Sequence, residues 1–315
     1  MRFFGNGICC ASYACLNAMQ DPSIDLQLFE ISLSTPFGIR HYENGLFDRL
    51  LTTYCDPNKG LDRALRIWGY RVQTHRIATP EEAVVCIRSL IQPGNPVLIG
   101  PIDMGALGYQ IMPSMLRRMD HYLVLEFYTD NQVLCTDSEG FLQYPLEDAQ
   151  LCRYLNAEQV LEAEGCITVR QIEKEYQYNM EEILRFALKF AADNLQAAEE
   201  SEEGSHAINK CFEYLQQNKK YKWRLPFLYD LQYLKQRKRL LLFFIEVLEE
   251  YKIRTQKQME ELKKNAAEQN DLLGKVYEEL RSGGGIDREM FAKAAELETR
   301  ISNRIRSDSG IDEAI

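Results

Sequence analysis

The pattern of apolar and polar positions divides the chain into a mixed first part and a helical second part. Alternation over 70–77 predicts a strand, and the short apolar run over 97–100 predicts a buried one. Two β-favouring runs, 120–128 and 132–137, flank the turn-forming residues 129–131, so they predict a hairpin. Helices are predicted for about ten residues from Cys9 or Cys10 and over 26–33, 45–53, 61–68, 80–91 and 146–155.

Helical periodicity with long charged faces dominates from residue 172 onward. The stretch 240–253 is the most apolar of these helices and is the predicted centre of a bundle. Further helices are expected over 255–280 and 287–305, and the acidic residues 197–205 are expected to be an exposed connection. The chain is therefore predicted to hold an α+β domain over 1–170 and an α-helical domain over 171–315.

Composition narrows the class of protein. The 315 residues are 45% hydrophobic and 27% charged, which is typical of a soluble globular protein. A net charge of −10 argues against a nucleic-acid partner, and the longest apolar run, 240–245, is too short to cross a membrane. The nine cysteines have no framework spacing and Gly5 and Gly7 interrupt any signal peptide, so we expect reduced thiols in the cytoplasm. Cysteine and histidine spacings typical of zinc are absent, so no metal site is predicted.

The predicted hairpin brings a histidine and a carboxylate to the same end of two strands. His121 begins the first strand and Asp137 ends the second, so Asp137 could orient His121 as a general base. Far upstream, Cys9 and Cys10 open the first helix, where the helix dipole lowers the pKa of a thiol. Cysteine, histidine and aspartate in this order are typical of papain-like nucleophilic sites. Periodicity does not distinguish Cys9 from Cys10 as the nucleophile.

Each of these residues also has a purely structural interpretation. Cys10 could be a small buried hydrophobic residue, and Asp137 a turn residue before Ser138. Asp103 follows the buried strand and could serve the site or cap a turn. A papain-type site also needs an oxyanion donor, and Asn6 is the nearest side-chain amide before Cys10. The missing upstream glutamine weakens a peptidase interpretation more than one of acyl transfer, because a thioester needs less assistance than an amide.

A basic, aromatic stretch interrupts the acidic second half. It is either a solvated helix face or a docking surface for an acidic partner, such as an acyl carrier protein with its phosphopantetheine arm. Its charged residues are Lys219, Lys220, Lys222, Arg224, Lys235, Arg237, Lys238 and Arg239.

Several short motifs in the first 155 residues occur in the order of a known family. They are CASYACLNAM at 10–19, PVLIGPIDM at 96–104, LGY at 107–109, HYLVL at 121–125 and TD at 136–137. With these motifs the chain resembles the N-terminal domain of the BtrH-like family, the acyltransferases of butirosin biosynthesis, which are related to papain-like cysteine peptidases. The resemblance favours Cys10 over Cys9, because residues 16 and 17 then fall at the family spacing. Ile8-Cys9 departs from the polar residue common before the nucleophile.

This resemblance implies a papain-like fold, with an N-terminal helix packed on a small antiparallel sheet, followed by a helical domain. It implies that Cys10, His121 and Asp137 transfer an acyl group from a carrier-protein thioester to an amine, in butirosin's case an aminoglycoside. No permanently bound cofactor is then expected, and the phosphopantetheine arm is part of the substrate. The alternatives are a peptidase, another ATP-independent amide or thioamide synthase of nonribosomal peptide biosynthesis, or a non-catalytic binding module whose Cys10 is unreactive.

Overall fold

The computed structural model describes residues 3–5, 9–41, 50–92, 94–111, 113–158, 160, 163–217, 224–285 and 287–308. The chain forms two compact units, one of Met1–Phe29 with Pro57–Tyr178 and one of Glu30–Asp56 with Asn179–Ile315. The helices are α1 (Cys10–Met19), α2 (Leu26–Ser32), α3 (Pro57–Ile67), α4 (Pro80–Leu90), α5 (Asp148–Tyr154), α6 (Met180–Glu200), α7 (Ser205–Gln217), α8 (Arg224–Glu250), α9 (Gln256–Arg281) and α10 (Arg288–Asp308). The strands are β1 (Ile39–His41), β2 (Leu51–Thr53), β3 (Tyr70–Ile77), β4 (Val97–Asp103), β5 (Asp120–Thr129), β6 (Gln132–Asp137), β7 (Phe141–Glu147) and β8 (Ile167–Lys174).

The first unit is built on a six-stranded antiparallel sheet of order β3-β8-β4-β5-β6-β7. All residues of β4 are buried, as expected for a central strand that is apolar on both faces. The inward side chains of β4, β5 and β6 form one core with α4 and α5. The α+β class predicted from the sequence is confirmed.

The predicted hairpin is formed by β5 and β6. Thr129 pairs with Gln132 at the turn, and Asp130 has φ +51°, a left-handed conformation that Asp tolerates better than most residues. Leu123 pairs with Asp137 at the other end. The start of β5 and the end of β6 are therefore neighbours, as the sequence pattern predicted.

Helix α1 packs on β5 and β4, and seven of its ten residues are buried. Cys9 is its N-cap residue, and Gln20 ends it in a left-handed conformation, φ +50°. Asn17 Oδ1 accepts a hydrogen bond from the backbone N–H of Phe4, and Asn17 Nδ2 donates one to the carbonyl of Phe4, each at 2.8 Å. This reciprocal pair fastens the segment before the helix to the helix itself.

Two predicted elements differ from the structure. Residues 51–53 of the helix predicted over 45–53 are strand β2, paired with β1, and residues 45–49 lie outside the described part. The helix predicted over 146–155 is α5, which begins only at Asp148, because residues through Glu147 extend β7 along β6. Both segments take part in strand pairing, which outweighs local helical preference.

Strand β8 also crosses the boundary expected at 170/171. It pairs with β3 along its whole length and with β4, so it is an interior strand of the sheet, and the first unit continues to Tyr178. Its Arg170 is buried, where its guanidinium binds Asp62, Asn58 and the carbonyl of Gly100. These bonds join α3 to the sheet and satisfy a buried charge.

The second unit consists of helices α6 to α10 with the strand pair β1–β2. Of the helix predicted over 240–253, residues 240–250 form the end of α8 and residues 251–253 form a turn after it. Phe244 in this part packs edge-on against Phe37. The predicted helices over 255–280 and 287–305 are confirmed as α9 and α10. The exposed connection predicted over 197–205 is shorter, because residues 197–200 belong to α6 and Ser205 begins α7, and Ala198 is buried. None of the helices within the described residues is long and apolar enough to cross a bilayer.

Candidate functional site

Cys10 is the first residue of α1, and its thiol faces the start of β5. Its Sγ donates to the carbonyl oxygen of Asp120 at 3.6 Å, and its side chain is partly exposed. Cys9 is only 4% exposed, and Cys15 is fully buried, where burial raises the pKa of its thiol. Of these three cysteines, Cys10 has both solvent access and contact with the strand that carries His121.

His121 and Asp137 form the pair that the hairpin pattern predicted. His121 is the second residue of β5 and Asp137 the last of β6, and Nε2 lies 2.7 Å from Oδ1. The two side chains are 1% and 0% exposed, so water does not compete for this bond. The bond fixes the plane of the imidazole ring at the strand end that Cys10 reaches.

Four donors surround the Asp137 carboxylate. Oδ1 accepts from His121 Nε2 and from the N–H of Glu139, at 2.7 and 2.9 Å. Oδ2 accepts from the Tyr109 hydroxyl and from Gln110 Nε2, each at 2.9 Å. These bonds use the acceptor capacity of a carboxylate, which has about four lone-pair sites. Asp137 is therefore a fixed acceptor. It is also the turn residue of the structural alternative, because its side chain accepts from the Glu139 N–H and its carbonyl accepts from the Gly140 N–H at 3.2 Å.

The electrostatics favour an ionised pair. Burial alone would raise the pKa of Asp137, but the charge of His121 and the donated hydrogen bonds lower it below its usual value. Burial alone would lower the pKa of His121, but Asp137, together with Glu139 and Asp120, raises it above its usual value. The site thus stabilises an imidazolium facing a carboxylate. In the neutral ring, Nε2 donates to Asp137 and Nδ1 is the basic nitrogen.

The segment 104–119 supplies the two further Asp137 donors. Its ends are joined by a bond of 2.9 Å from the Met104 N–H to the Met119 carbonyl, and Asp103 accepts from the N–H groups of Gly105 and Arg118. Asp103 is therefore a cap, which confirms the structural alternative for this residue. The sequence analysis missed Gln110 and noted Tyr109 only within a motif. The signal that could have indicated these two donors is a side-chain amide next to a phenol inside a glycine-rich loop.

The Tyr109 ring lies in an aromatic cluster. Its centroid is 4.6 Å from that of Phe141, 5.0 Å from Tyr144 and 5.8 Å from Tyr154. Such tilted pairs contribute beyond the area they bury and hold the ring in one orientation. The hydroxyl that binds Asp137 is thus on a rigid support.

The oxyanion candidate Asn6 lies outside the described residues. The chain just before it is described: Phe4 is bound to Asn17, and Gly5 lies against the carbonyl of Ser138, where an added Cβ would come within 2.6 Å. The segment that leads toward Cys10 therefore passes close to the residue after Asp137. Glycine is required at position 5 by this close approach.

The candidate docking residues fall into three groups: those whose side chains are not described, those that are at least partly exposed, and those that are buried. Lys219, Lys220 and Lys222 lie outside the described residues, and of Arg224 only the backbone at the start of α8 is described. Lys235 is half-buried and Arg239 exposed.

Arg237 and Lys238 are a correction to the docking hypothesis. Each is 1% exposed; Arg237 binds Glu30 and Thr35, at 3.0 and 2.9 Å, and Lys238 binds Glu298 at 2.7 Å. They face the interior because they are on the apolar face of α8, so their charges are used inside the second unit. No group of three metal-ligating side chains occurs within the described part of the chain.

No protein-family model matches the chain. The chain is similar to the "Uncharacterized protein YobF" of Bacillus subtilis (strain 168), with 30% identity over 163 residues. The match covers 50% of this chain, and the chain spans about half of the length of that relative, 51%. The resemblance to the BtrH-like family therefore stays a prediction.

Proposed function

We propose that the protein is a cysteine-dependent acyltransferase of the papain-like type that forms an amide from a carrier-bound thioester and an amine. One observation carries the proposal: the partly exposed thiol of Cys10, at a helix start, lies against the backbone of Asp120 next to a buried His121–Asp137 pair. These are the parts of an activated nucleophile: thiol, base and orienting carboxylate. The resemblance to the BtrH-like motifs is the reason for proposing amide formation from a thioester rather than cleavage of a peptide.

In the first step His121 Nδ1 takes the proton of Cys10, and the thiolate attacks the carbonyl carbon of the acyl thioester. The positive end of α1 and the imidazolium favour the thiolate. A bond forms between Sγ and the acyl carbon, and the bond from that carbon to the pantetheine sulfur breaks. The proton on His121 passes to the departing thiolate, so the step is balanced without a cofactor.

In the second step an amine attacks the acyl-enzyme. Nitrogen bonds to the acyl carbon, the bond to Cys10 Sγ breaks, and the proton of the amine passes through His121 to the released thiolate. In papain-type sites the backbone N–H of the nucleophilic cysteine donates to the developing oxyanion, and the proposal assigns this role to Cys10. Aminolysis of a thioester is downhill, so ATP is not required.

Three features support this substrate class. A thioester is activated and needs less oxyanion assistance than the peptide bond of a peptidase. The net charge of −10 favours a cationic amine, such as an aminoglycoside-like natural product. The basic residues Lys235 and Arg239 of α8 are at least partly accessible to an acidic carrier protein. We place the reaction in the cytoplasm, where the nine thiols are expected to be reduced.

The test is the intact mass of the protein after mixing with a short acyl-pantetheine thioester without an amine. We expect one acyl adduct on the wild type and on Cys9→Ala, and none on Cys10→Ala or His121→Ala. Adding an amine should then release the adduct as an amide. Water as the only effective acceptor, together with cleavage of peptides, would favour the peptidase alternative instead.

A folded protein that forms no adduct with either the free thioester or an acylated carrier protein would contradict the proposal. Cys10 would then be expected to react with iodoacetamide no faster than an ordinary accessible thiol, as in a binding module. An adduct that is lost in Cys9→Ala but kept in Cys10→Ala would move the nucleophile to Cys9.

A further inference from the structure

The Asp137 Oδ2 atom is held by two consecutive side chains from one short turn. The N–H of Gln110 donates to the carbonyl of Leu107 at 3.0 Å, which closes a turn over 107–110. In an extended segment neighbouring side chains point to opposite sides, but this turn directs Tyr109 and Gln110 to the same oxygen. Gly108 lies close to the aromatic cluster in this turn, since a Cβ there would lie 3.1 Å from the Tyr154 hydroxyl.

We propose that Tyr109 and Gln110 are positioning residues that act on Cys10 through Asp137 and His121. The inference rests on the proposed function for its catalytic meaning, but its physical content is narrower. The two donors keep Asp137 ionised and stop it rotating about its side-chain bonds. Oδ1 then stays 2.7 Å from His121 Nε2, which keeps the imidazole ring in one orientation at the strand end where Cys10 contacts Asp120.

The arrangement goes beyond satisfying a buried carboxylate. Oδ1 already has two donors, and satisfaction of Oδ2 alone would need no rigid support. Instead, the Tyr109 ring is packed among three aromatic rings, and Gln110 is only 9% exposed. A hydroxyl on a packed ring constrains the carboxylate more tightly than a water or a mobile side chain would.

The pH profile of Cys10 alkylation by iodoacetamide tests this inference without any acyl donor. Labelling is measured as the difference from Cys10→Ala, so the other cysteines do not contribute. The Tyr109→Phe/Gln110→Met double variant keeps the volumes and removes both donors. The imidazolium is then less stabilised and forms a thiolate pair with Cys10 less readily. We expect labelling to slow on the order of tenfold at about pH 6 and to change less than about twofold at about pH 9.5.

Three controls separate positioning from general destabilisation. Tyr144→Phe removes a hydroxyl from the same aromatic cluster and should leave the profile unchanged. In a His121→Gln background the double variant should have no further effect, because the path to Cys10 passes through His121. The single variants Tyr109→Phe and Gln110→Met are measured in the same way and should each give part of the shift, so a poorly folding double variant does not decide the matter.

Equal slowing at all pH values, an unchanged profile, or a shift to lower pH would overturn the inference. A shifted profile in a protein that forms no acyl adduct would leave the positioning role intact and refute only the acyltransferase. An acyl adduct together with an unshifted profile would support the acyltransferase and refute only the positioning role. The two proposals therefore fail separately.

Discussion

Replacement of Asp137 by Asn should lower stability in a way that depends on pH. The asparagine oxygen can occupy the Oδ1 position and accept from His121 and the Glu139 N–H. Its NH₂ group then faces Tyr109 and Gln110. The Tyr109 hydroxyl can rotate and the Gln110 amide can flip, so that an oxygen atom of each accepts a hydrogen bond from this NH₂ group. The hydrogen-bond count is preserved, so the main loss is the charge that faces His121.

The sign follows from the two pKa shifts. The folded pKa of His121 lies above its unfolded value of about 6.5, so its contribution is fully present below about pH 6.5 and is lost as pH rises through the folded pKa. The folded pKa of Asp137 lies below about 3.9, so its contribution is present above about pH 4 and is lost as pH falls through the folded pKa. Both contributions are therefore complete between about pH 4 and 6.5.

In that window we expect Asp137→Asn to reduce the free energy of unfolding by about 3–5 kcal/mol, the range for breaking a buried charge pair. The loss should shrink above the folded pKa of His121. Each pH unit by which the folded-state pKa of His121 differs between the wild type and Asp137→Asn changes this loss in free energy of unfolding by about 1.4 kcal/mol. Without Asp137, burial lowers the pKa of His121, which increases the difference at acid pH.

Urea unfolding at a series of pH values measures this. The chain has two tryptophans, and Trp68 is fully buried in the first unit, so a Trp223→Phe background makes fluorescence report on the unit that holds the site. Tyr144→Phe is a control that leaves Asp137 and its donors in place. A difference between wild type and Asp137→Asn that is constant from about pH 5 to 9 would refute the reasoning, because it would show that His121 carries no charge-dependent bond.

Three further changes test other contacts. Asn17→Leu removes both bonds to Phe4 and should cost about 2–4 kcal/mol in urea unfolding; a loss below about 1 kcal/mol would contradict a fastening role. Arg237→Met should cost about 3–5 kcal/mol by leaving Glu30 buried without its cation, and adding Glu30→Gln should recover part of this loss. Thr79→Ala should cost about 1 kcal/mol through the lost helix cap, whereas Thr79→Ser should be nearly neutral.

Much of the candidate site was predictable because its geometry is local. A hairpin needs only two alternating runs and a turn, and it places His121 and Asp137 at one end whatever the rest of the chain does. The position of Cys10 at the start of α1 also follows from local periodicity. That Cys10 meets the His121 end of β5 was predicted only from chain order and resemblance, and the contact itself, with Asp120 110 residues away, was not predicted.

The parts that could not be predicted depend on distant partners. Strand β8 is recognisable only once β3 and β4 are adjacent to it. Arg237 looks like a surface cation in sequence, because nothing local reveals that Glu30, 207 residues away, meets it in the interior. A basic stretch is thus weak evidence for a docking surface until burial is known.

The register of the β5–β6 hairpin links the site to the core. Leu123, Leu125 and Cys135 point into the core of the first unit, and the same alternation sets the direction of His121 and Asp137. A slip of one residue would turn these apolar side chains out of that core, toward the face on which α1 packs, and would also separate His121 from Asp137. The apolar packing that stabilises the sheet therefore also selects the register in which His121 and Asp137 meet. Because the segment 104–119 then adds Tyr109 and Gln110 to the same carboxylate, the pair is fixed before any substrate binds.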